Sequence, residues 1–289
     1  MYKPNITMFF PAYNEEENIP KLLSSATKIL KEITNNYEIL IIVYEGSTDG
    51  TIDAVKRFTN KDKTRENQIR RESRILGLSE TKSRQFSGHR KSSGMRVSSR
   101  TRSQLTGFSR EIKLLIQPKN KKGVGYAKIM GFKNAKYPYI FYADADNQFN
   151  LEDFKKFLPY IRKYDIIAGY RIKRNDSKAR IVVSRIYNAM MRLLFGAKER
   201  DLDCAFRLVN KRVIDNINLA CSTGVATTEL LVKARKKGFQ IKEIGVAHQP
   251  RTSGQSAFET GLSLPKPREV YKILKEIVKL WVDMHIKGN

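Results

Sequence analysis

The sequence has few cysteines, no long apolar run and a single tryptophan among its 289 residues. The two cysteines, Cys204 and Cys221, are too few for a disulfide framework in a chain of this length, and they lack the spacing of a metal site. No stretch approaches the roughly 18 apolar residues of a membrane span, and the opening MYKPNITMFF does not have the pattern of a signal peptide. These absences predict a cytoplasmic protein that can still contact a membrane surface.

Acidic residues are also scarce relative to basic ones. The chain has 55 Lys and Arg against 29 Asp and Glu, which gives a formal net charge of +26. Such an excess predicts an anionic partner. Charge alone leaves the partner open between nucleic acid, phosphorylated small molecules and an anionic membrane surface.

Part of this excess is concentrated between Lys61 and Arg110, where 14 basic and 4 acidic residues occur with many serines and few large apolar residues. A segment of this composition buries too little apolar surface to offset the entropy of ordering it. We therefore expect residues 61–110 to form a mobile insertion in a helix-to-strand connection. The insertion is either a solvated loop without function or a segment that contacts anionic lipid or nucleic acid.

Short apolar segments alternate with amphipathic helical patterns along the rest of the chain. The apolar segments are predicted strands and lie at 5–10, 38–43, 112–116, 139–143 and 165–170. Strands that are apolar throughout and alternate with helices indicate an α/β fold, in which a mostly parallel sheet has helices on both faces. Ligands of such sheets bind beyond the carboxyl ends of the strands.

Two aspartates, Asp144 and Asp146, directly follow the apolar run at 139–143. Like charges this close repel each other unless a cation lies between them. Together with Gln148 they offer the oxygen ligands that Mg²⁺ or Mn²⁺ prefers, alongside the phosphates of a bound substrate. The alternative is a surface loop whose acids cap the next helix.

Six segments occur along the chain in the following order: PAYNEEENI (11–19), VYEGSTDGT (43–51), GVGYAKIMGFKNA (123–135), DADNQ (144–148), DIIAGYR (165–171) and RTSGQS (251–256). Together they resemble family 2 glycosyltransferases, in particular the dolichol-phosphate mannose synthase and polyprenyl-phosphate glycosyltransferase group. The resemblance implies the Rossmann-like GT-A fold, a nucleotide-sugar donor, a divalent metal and an acceptor region in the C-terminal third. The catalytic domain would span residues 1–265, interrupted by the basic insertion, and an amphipathic helix would follow at 266–289.

The resemblance also implies roles for individual residues on the donor side. The nucleotide sugar would contact Pro11, Tyr13, Glu15, Val43, Glu45, Asp144, Ala145, Asp146 and Arg171. The metal would be bound by Asp144, Asp146 and Gln148. The family usually has Asp-Asp-Gly where this chain has Tyr44-Glu45-Gly46, so Glu45 retains a carboxylate that can accept a base N–H from uracil or guanine.

On the acceptor side, the resemblance implies phosphate contacts from Arg180, Arg207 and Arg251. The planar fork of arginine suits phosphate oxygens, although an arginine in a loop is often only a solvated surface residue. Asp201 and Asp203 would lie near a sugar hydroxyl. The lysine of the family's GESK segment is absent, and Ala257 stands in the corresponding run SGQSAF.

The type of acceptor depends on whether a general base is present. Many family 2 enzymes that act on sugar hydroxyls have Glu-Asp before the next helix, where this chain has Thr227 and Thr228 followed by Glu229. A hydroxyl must lose a proton, whereas a phosphate is ionised near neutral pH and needs no strong base. The sequence therefore favours a lipid-phosphate acceptor, although Glu229 could serve as a base. The candidate catalytic residues are Asp144, Asp146, Asp203 and Glu229.

We therefore expect a metal-dependent, inverting glycosyltransferase that moves a hexose from a UDP- or GDP-linked donor to a polyprenyl or dolichyl phosphate. A saccharide or protein hydroxyl is the alternative acceptor. A nucleic-acid-binding protein is the rival from another class. Charge alone suggests it, and the basic stretch has neither a recognisable binding motif nor interleaved aromatic residues.

The C-terminal segment has a helical pattern with one apolar stripe, formed by Val270, Ile273, Leu274, Ile277, Trp281 and Met284. A basic amphipathic helix with a tryptophan is suited to a membrane interface. Packing against the catalytic domain is the alternative. If the helix lies in a membrane interface, the protein is peripheral at the cytoplasmic face of a membrane.

Overall fold

The computed structural model describes residues 3–60, 110–173, 178–251, 253 and 266–286, without the side chains of residues 178 and 180. The predicted basic insertion, apart from Arg110, lies outside the described residues, and so does most of the segment that follows Arg251. The mobility and boundaries of the insertion, and the phosphate contact of Arg180, therefore stay predictions.

Within the described residues, seven strands form one sheet in the order β3-β2-β1-β4-β6-β5-β7. They are β1 (Ile6–Ala12), β2 (Tyr37–Tyr44), β3 (Arg110–Gln117), β4 (Tyr139–Tyr142), β5 (Ile166–Arg171), β6 (Arg207–Asn210) and β7 (Ile241–Val246). Neighbouring strands are parallel except at β6, which is antiparallel to both β4 and β5. The predicted α/β fold is confirmed, and β6 and β7 enlarge the sheet beyond the five predicted strands.

The helices lie on both faces of this sheet. They are α1 (Ile19–Ile33), α2 (Val124–Asn134), α3 (Lys178–Phe195), α4 (Lys211–Asn216), α5 (Val225–Lys236) and α6 (Pro267–His285), and residues 51–60 are also helical. One hydrophobic core lies between the sheet and α1, and a second lies between the sheet and α2, α5 and α6. Because the central strands are covered on both sides, residues such as Phe9, Leu40 and Ile41 are fully buried.

The predicted helix after the aspartates is a 3₁₀ helix, Leu151–Tyr160. It begins with a cap in which the side-chain oxygen of Asn150 accepts a hydrogen bond from the backbone N–H of Glu152 at 3.1 Å. Pro159 lies inside it. Proline has no N–H to donate and clashes with an α-helical carbonyl four residues earlier, so it disfavours an α-helix here.

Two glycines let α2 approach its neighbours closely. A Cβ on Gly125 would lie 2.2 Å from the carbonyl oxygen of Cys221, and a Cβ on Gly131 would lie 2.6 Å from the ring of Phe9. The absence of a side chain at these two positions is therefore a packing requirement. It brings the inner face of α2, which includes Lys128, against the sheet and the loop before α5.

The predicted C-terminal helix is present as α6, and its apolar residues divide between two faces. Ile277, Leu280 and Met284 are buried against the domain. Leu274 and Trp281, which the sequence places on the same stripe, are partly exposed. Packing against the domain therefore accounts for only one of the two apolar faces of α6.

Both cysteines are free and buried, as expected for neutral thiols. Burial raises the pKa of the Cys204 thiol to about 12. Within the part of the chain that the structure describes, no helix is both long and apolar enough to cross a bilayer.

Candidate active site

The carboxyl ends of all the parallel strands meet at one edge of the sheet. This strand-end edge comprises the residues that follow Ala12, Tyr44, Gln117, Tyr142, Arg171 and Val246. β6 runs in the opposite direction, so it begins at this edge, where Arg207 lies opposite Tyr142. The structure therefore gathers most of the predicted donor, metal and acceptor residues at one place.

Arg251 lies between two of the predicted carboxylates, Glu15 and Asp146. Its Nη2 is 2.5 Å from Glu15 Oε1, and its Nη1 is 3.7 Å from Asp146 Oδ2. Asn18 Nδ2 also donates to Glu15 Oε2 at 2.6 Å. Burial raises the pKa of Glu15 to about 7, and the charge of Arg251 opposes that rise. The guanidinium is thus the cation that separates the two acids in this structure.

The loop that contains the two aspartates is held by hydrogen bonds within the loop and by hydrogen bonds to Asn18 and Gln249. Asn147 has a positive φ of 57°, and its Nδ2 donates to the carbonyl oxygen of Asn18 at 3.0 Å. The N–H of Gln148 donates to Asp146 Oδ1 at 3.1 Å, and Gln148 Nε2 donates to the carbonyl oxygen of Gln249 at 3.2 Å. The loop therefore presents the Asp146 carboxylate in a defined orientation.

The donor chemistry of this loop fits a divalent metal. Asp144, Asp146 and Gln148 supply carboxylate and amide oxygens, the ligands that Mg²⁺ and Mn²⁺ prefer. Asp146 Oδ2 already faces a positive group, the guanidinium of Arg251. Among the described residues, no cluster of three or more acidic, histidine or cysteine side chains forms a ready-made metal site. A metal here would therefore need phosphate oxygens from a bound substrate to complete its coordination.

His248 is a neighbour of this loop that the sequence did not single out. It pairs with Phe149 in an isolated antiparallel bridge, and the two rings lie 5.3 Å apart. Its position after β7 places it at the strand-end edge. The available signal was its place directly after a strand, which is the same signal that identified Asp144.

Tyr13, Tyr44 and Glu45 lie together where β1 and β2 end. The two tyrosine rings are 5.9 Å apart and tilted by 57°. Glu45 is exposed, and its Oε2 accepts a hydrogen bond from the N–H of Lys119 at 3.1 Å. By contrast, the side chains of Val43 and Ala145 are buried, so these two residues can contact a ligand only through their backbone.

Arg171, at the end of β5, makes a two-pronged ion pair with Asp201. Its Nε and Nη2 each lie 2.7 Å from a carboxylate oxygen of Asp201, and its Nη2 is 3.7 Å from Asp203. Ser184 Oγ donates to Asp203 Oδ2 at 2.5 Å. A phosphate at Arg171 would therefore share the guanidinium with Asp201. The structure therefore brings Arg171, Asp201 and Asp203 together, and their charged groups are paired with one another.

Lys128 is a charged residue that the sequence did not reveal. It lies on the inner face of α2 and is only 4% exposed. Its Nζ donates to Thr227 Oγ1 at 2.5 Å and lies 5.4 Å from the centre of the Tyr142 ring. Burial lowers the pKa of Lys128 to about 8, and the nearby Asp144 carboxylate opposes this shift. The sequence does offer one indication of this burial. Lys128 lies, with Ala127, on the side of the helix whose other residues are small or apolar.

Arg207 and Glu229 have fixed structural contacts in this structure. The guanidinium of Arg207 is fully buried and donates to the carbonyl oxygens of Thr227, at 2.5 Å, and Leu202, at 2.8 Å. Glu229 is also buried and accepts hydrogen bonds from two backbone N–H groups, at residues 220–221, and from Lys233 Nζ at 2.8 Å. Contacts of this kind favour loop-fixing roles for both residues over contact with substrate.

Comparison with protein families and with curated proteins gives consistent matches. The model of the family described as glycosyl transferase family 2 matches residues 7–85 and 98–217. The undecaprenyl-phosphate 4-deoxy-4-formamido-L-arabinose transferase of Aeromonas hydrophila is 24% identical over 255 residues, which is 88% of this chain. The enzyme of the same name from Proteus mirabilis is 24% identical over 254 residues. The chain spans 62% of the length of each of these relatives.

Solved structures of similar fold include glucosyl-3-phosphoglycerate synthase from Mycobacterium tuberculosis. Its complex with Mn²⁺, uridine diphosphate and glucosyl-3-phosphoglycerate has a TM-score of 0.57 and is 10% identical. The likeness covers 97% of this chain and 79% of the other. A complex of the same enzyme with Mg²⁺ and uridine diphosphate has a TM-score of 0.56. At this level of identity, the likeness shows that the fold is shared.

Proposed function

Because this chain belongs to glycosyl transferase family 2, we propose that it transfers a sugar from a nucleotide-diphosphate donor to a polyprenyl phosphate at the cytoplasmic face of a membrane. The family match covers most of the chain, and the chain is therefore a glycosyltransferase. The donor, the metal and the lipid acceptor are the proposed part.

The observation that carries the choice of acceptor is the pair Thr227 and Thr228. Both are buried, and their hydroxyls are engaged with Lys128 and Tyr187. A hydroxyl acceptor needs a base at the reacting oxygen, whereas an ionised phosphate does not. Two curated relatives are named as undecaprenyl-phosphate transferases, which supports the same choice.

The donor would lie across the strand-end edge. We assign the base and ribose to the pocket of Tyr13 and Glu45, and the diphosphate to the loop that contains Asp144 and Asp146. A divalent metal bound by Asp144, Asp146 and Gln148 would act as a Lewis acid on the leaving diphosphate. Solved structures of the same fold contain Mn²⁺ or Mg²⁺ together with uridine diphosphate, which supports this arrangement.

The chain's own residues would orient the two reactants for a single displacement. A phosphate oxygen of the acceptor forms a bond to the anomeric carbon while the bond to the diphosphate oxygen breaks on the opposite side, and this inverts the configuration. The guanidinium of Arg251 contacts Glu15 in the loop after β1 and Asp146 in the loop after β4, so it is placed to bind a phosphate. Arg171 and the predicted contact of Arg180 would help to hold the acceptor phosphate.

A hydroxyl acceptor is the second candidate, because Asp203 offers a partly exposed carboxylate. Its side chain is 30% exposed and lies near Arg171 and Ser184. As a general base it would have to take a proton from the acceptor hydroxyl. Under this alternative, a saccharide would replace the lipid phosphate as substrate.

One experiment separates these candidates. The protein is incubated with Mn²⁺ or Mg²⁺ and a panel of UDP- and GDP-linked sugars, and nucleotide release is measured with polyprenyl phosphate, with a saccharide or without an acceptor. We expect release to depend on polyprenyl phosphate and to stop when EDTA removes the metal. Stimulation by a saccharide alone would identify a hydroxyl acceptor. Release that persists at the same rate in EDTA would contradict the metal assignment.

Glu45 provides a separate prediction about the base pocket. Its carboxylate is exposed and close to Tyr44, so Glu45→Ala should weaken binding of the donor nucleotide by about 1 kcal/mol, or roughly fivefold. The matched control is Glu111→Ala, which removes an exposed acid from β3. Calorimetric titration with UDP and with GDP measures the change and shows which nucleotide the site prefers. Equal affinities for Glu45→Ala and wild type would remove Glu45 from the pocket.

A further inference from the structure

The segment that follows β7 is attached to the loop of residues 143–150, which we call the aspartate loop. The N–H of Gln249 donates to the carbonyl oxygen of Gln148 at 2.7 Å, and Gln148 Nε2 donates back to the carbonyl oxygen of Gln249 at 3.2 Å. Just beyond the loop, Asp153 Oδ2 accepts the N–H of Ala247 at 2.6 Å. These bonds keep the residues that come next, including Arg251, beside the aspartate loop.

The side chain of Arg251 is held at a defined position in this segment. Its Nε donates to the carbonyl oxygen of Ser253 at 2.9 Å, and Ser253 Oγ donates to Asn18 Oδ1 at 2.9 Å. Its Nη2 lies 2.5 Å from Glu15 Oε1, and the side chain is only 22% exposed. Arg251 is therefore a built part of the site, unlike the solvated arginine that a loop position often holds.

The two carboxylate oxygens of Asp146 have different neighbours. Oδ1 accepts the N–H of Gln148 at 3.1 Å, whereas Oδ2 lies 3.7 Å from Nη1 of Arg251. A divalent cation on Oδ2 would lie about 2.1 Å from that oxygen and therefore within roughly 6 Å of Nη1, whatever its direction. Both side chains are mostly buried, so water screens the repulsion between the two cations poorly. The contact that neutralises Asp146 thus opposes the binding of a bare metal ion.

A diphosphate at the same place meets the opposite balance of charge. The guanidinium attracts it, and the planar fork of arginine can bind two phosphate oxygens. Without that guanidinium, the carboxylates of Glu15 and Asp146 would repel a diphosphate that carried no metal. Arg251 therefore favours the anion and disfavours the bare cation at one site.

We propose that Arg251 determines the form in which this site takes up its metal, namely as a complex with a diphosphate and not as the free ion. The inference rests on the proposed function in one respect, which is that a divalent metal and a diphosphate bind at the aspartate loop. Its signature is a pair of opposite changes, because loss of the guanidinium strengthens cation binding and weakens anion binding. A purely structural role of Arg251 would instead weaken both.

The test measures these two affinities separately in Arg251→Gln and wild type. Binding of Mn²⁺ alone is followed by the electron paramagnetic resonance signal of the free ion. Binding of pyrophosphate and of UDP is followed by calorimetry in EDTA. We expect Mn²⁺ to bind about fivefold more tightly to the variant, and pyrophosphate to bind about tenfold more weakly. Pyrophosphate has neither a base nor a sugar, so its affinity reports on charge whichever nucleotide the donor contains.

Two further variants serve as controls. Arg57→Gln removes an arginine that pairs at 3.3 Å with Glu16, the neighbour of Glu15, but the arginine side chain is 62% exposed. This variant should leave both affinities within about twofold of wild type. Arg251→Lys keeps the charge and loses the fork, so Mn²⁺ affinity should return close to wild type while pyrophosphate affinity is only partly restored.

Glu15→Gln tests the same balance from the other side. It removes the acid that pairs with Arg251 and keeps an oxygen that can accept the hydrogen bond of Nη2. We expect Mn²⁺ to bind about threefold more weakly and pyrophosphate about threefold more tightly, since the guanidinium is then less neutralised. This variant keeps the proposal testable if Arg251→Gln melts well below wild type.

The outcomes separate this proposal from the proposed function. Mn²⁺ that binds no more tightly to Arg251→Gln than to wild type would overturn the role of Arg251, and so would cation and anion affinities that fall together. In both cases the proposed function stands if wild type binds Mn²⁺ together with UDP or GDP. A wild-type protein that binds neither metal–nucleotide complex overturns the proposed function, and the role of Arg251 is overturned with it.

Discussion

Replacing Asp146 with asparagine is expected to lower kcat by about 100-fold or more, with little change in stability. Asparagine keeps the shape of the side chain and an oxygen that can accept the N–H of Gln148, which lies 3.1 Å from Asp146 Oδ1. What it loses is the negative charge that the proposed site requires for a divalent cation. The variant weakens the 3.7 Å contact of Arg251 with Asp146 but keeps the closer ion pair of Arg251 with Glu15, so the loop should keep its position.

The measurement is a steady-state assay of Asp146→Asn across a range of Mn²⁺ concentrations, together with its melting temperature. The matched control is Asp53→Asn, which removes an exposed carboxylate paired at 3.7 Å with Lys56. The control should retain wild-type kcat. If Asp146→Asn turns over within a few-fold of wild type at every Mn²⁺ concentration, Asp146 is not a metal ligand.

Replacing Lys128 with methionine is expected to act in two opposite directions. The free energy of unfolding at pH 7 should rise by about 1–3 kcal/mol, because the buried ammonium group is disfavoured in the folded state. The reason is its pKa, which burial lowers from 10.5 to about 8. Turnover should fall by about tenfold, because a positive charge beside the loop that is proposed to hold the donor diphosphate is lost.

The dependence of this effect on pH follows from the direction of the shift. Between pH 8 and 10.5, the folded lysine has lost its proton while the unfolded chain still holds it. The unfolded state binds more protons in this window, so the stability of wild type rises with pH relative to the variant. The stability advantage of Lys128→Met should therefore be largest at pH 7 and shrink toward pH 10.

Chemical denaturation at pH 7 and pH 9.5 measures the effect on stability, and a steady-state assay at pH 7 measures the effect on turnover. Lys133→Met is the matched control, because Lys133 lies on the exposed side of the same helix. It should change neither stability nor turnover by a comparable amount. A Lys128→Met variant that is less stable than wild type at pH 7 would show that Lys128 stabilises the fold through its contact with Thr227.

The sheet and the location of the site were predictable because both depend on short-range patterns. Short apolar runs that alternate with helical patterns, as in β1, β2 and β4, predict strands covered on both faces, and polar residues at their carboxyl ends then lie at one edge. This argument located Asp144 and Asp146 from the sequence, whereas Glu15 and Glu45 were implied by the resemblance to family 2 glycosyltransferases. It needs no knowledge of how distant segments pack.

The contacts between distant residues were not predictable in this way. Glu15 and Arg251 form an ion pair across a separation of 236 residues, and no local pattern indicates it. The sequence predicts that Arg171 contacts the nucleotide sugar, but it does not predict the ion pair with Asp201, because the position of Asp201 depends on the reversal of β6. Lys128 was missed because a lysine in an amphipathic helix is normally solvated, and burial here depends on the close approach that Gly125 permits.

The exposed apolar stripe of α3, formed by Val182, Ile186 and Leu193, was not predictable for a related reason. A period of 3.6 residues shows that a helix has an apolar face, but it does not show whether that face meets the core or the solvent. Met191 is apolar and buried on the inner side of α3, but Ser184 and Asn188 also face inward, where Ser184 donates to Asp203 and Asn188 accepts from the N–H of Leu202. The position of β6 and of the loop before it determines which face of α3 is buried.

The reversal of β6 also means that two groups of proposed site residues reach the strand-end edge in different ways. A parallel strand delivers the residues that follow it to the strand-end edge, whereas an antiparallel strand delivers those that precede it. The proposed donor loops therefore follow β1, β2 and β4, while Asp201 and Asp203 precede β6 in the segment that follows α3. Insertions or exchanges between β5 and β6 would alter the proposed acceptor side, and Arg171 through its pair with Asp201, but not the sequence of the loops after β1, β2 and β4. Evolution can in this way change the acceptor of such an enzyme while it inherits the donor unchanged.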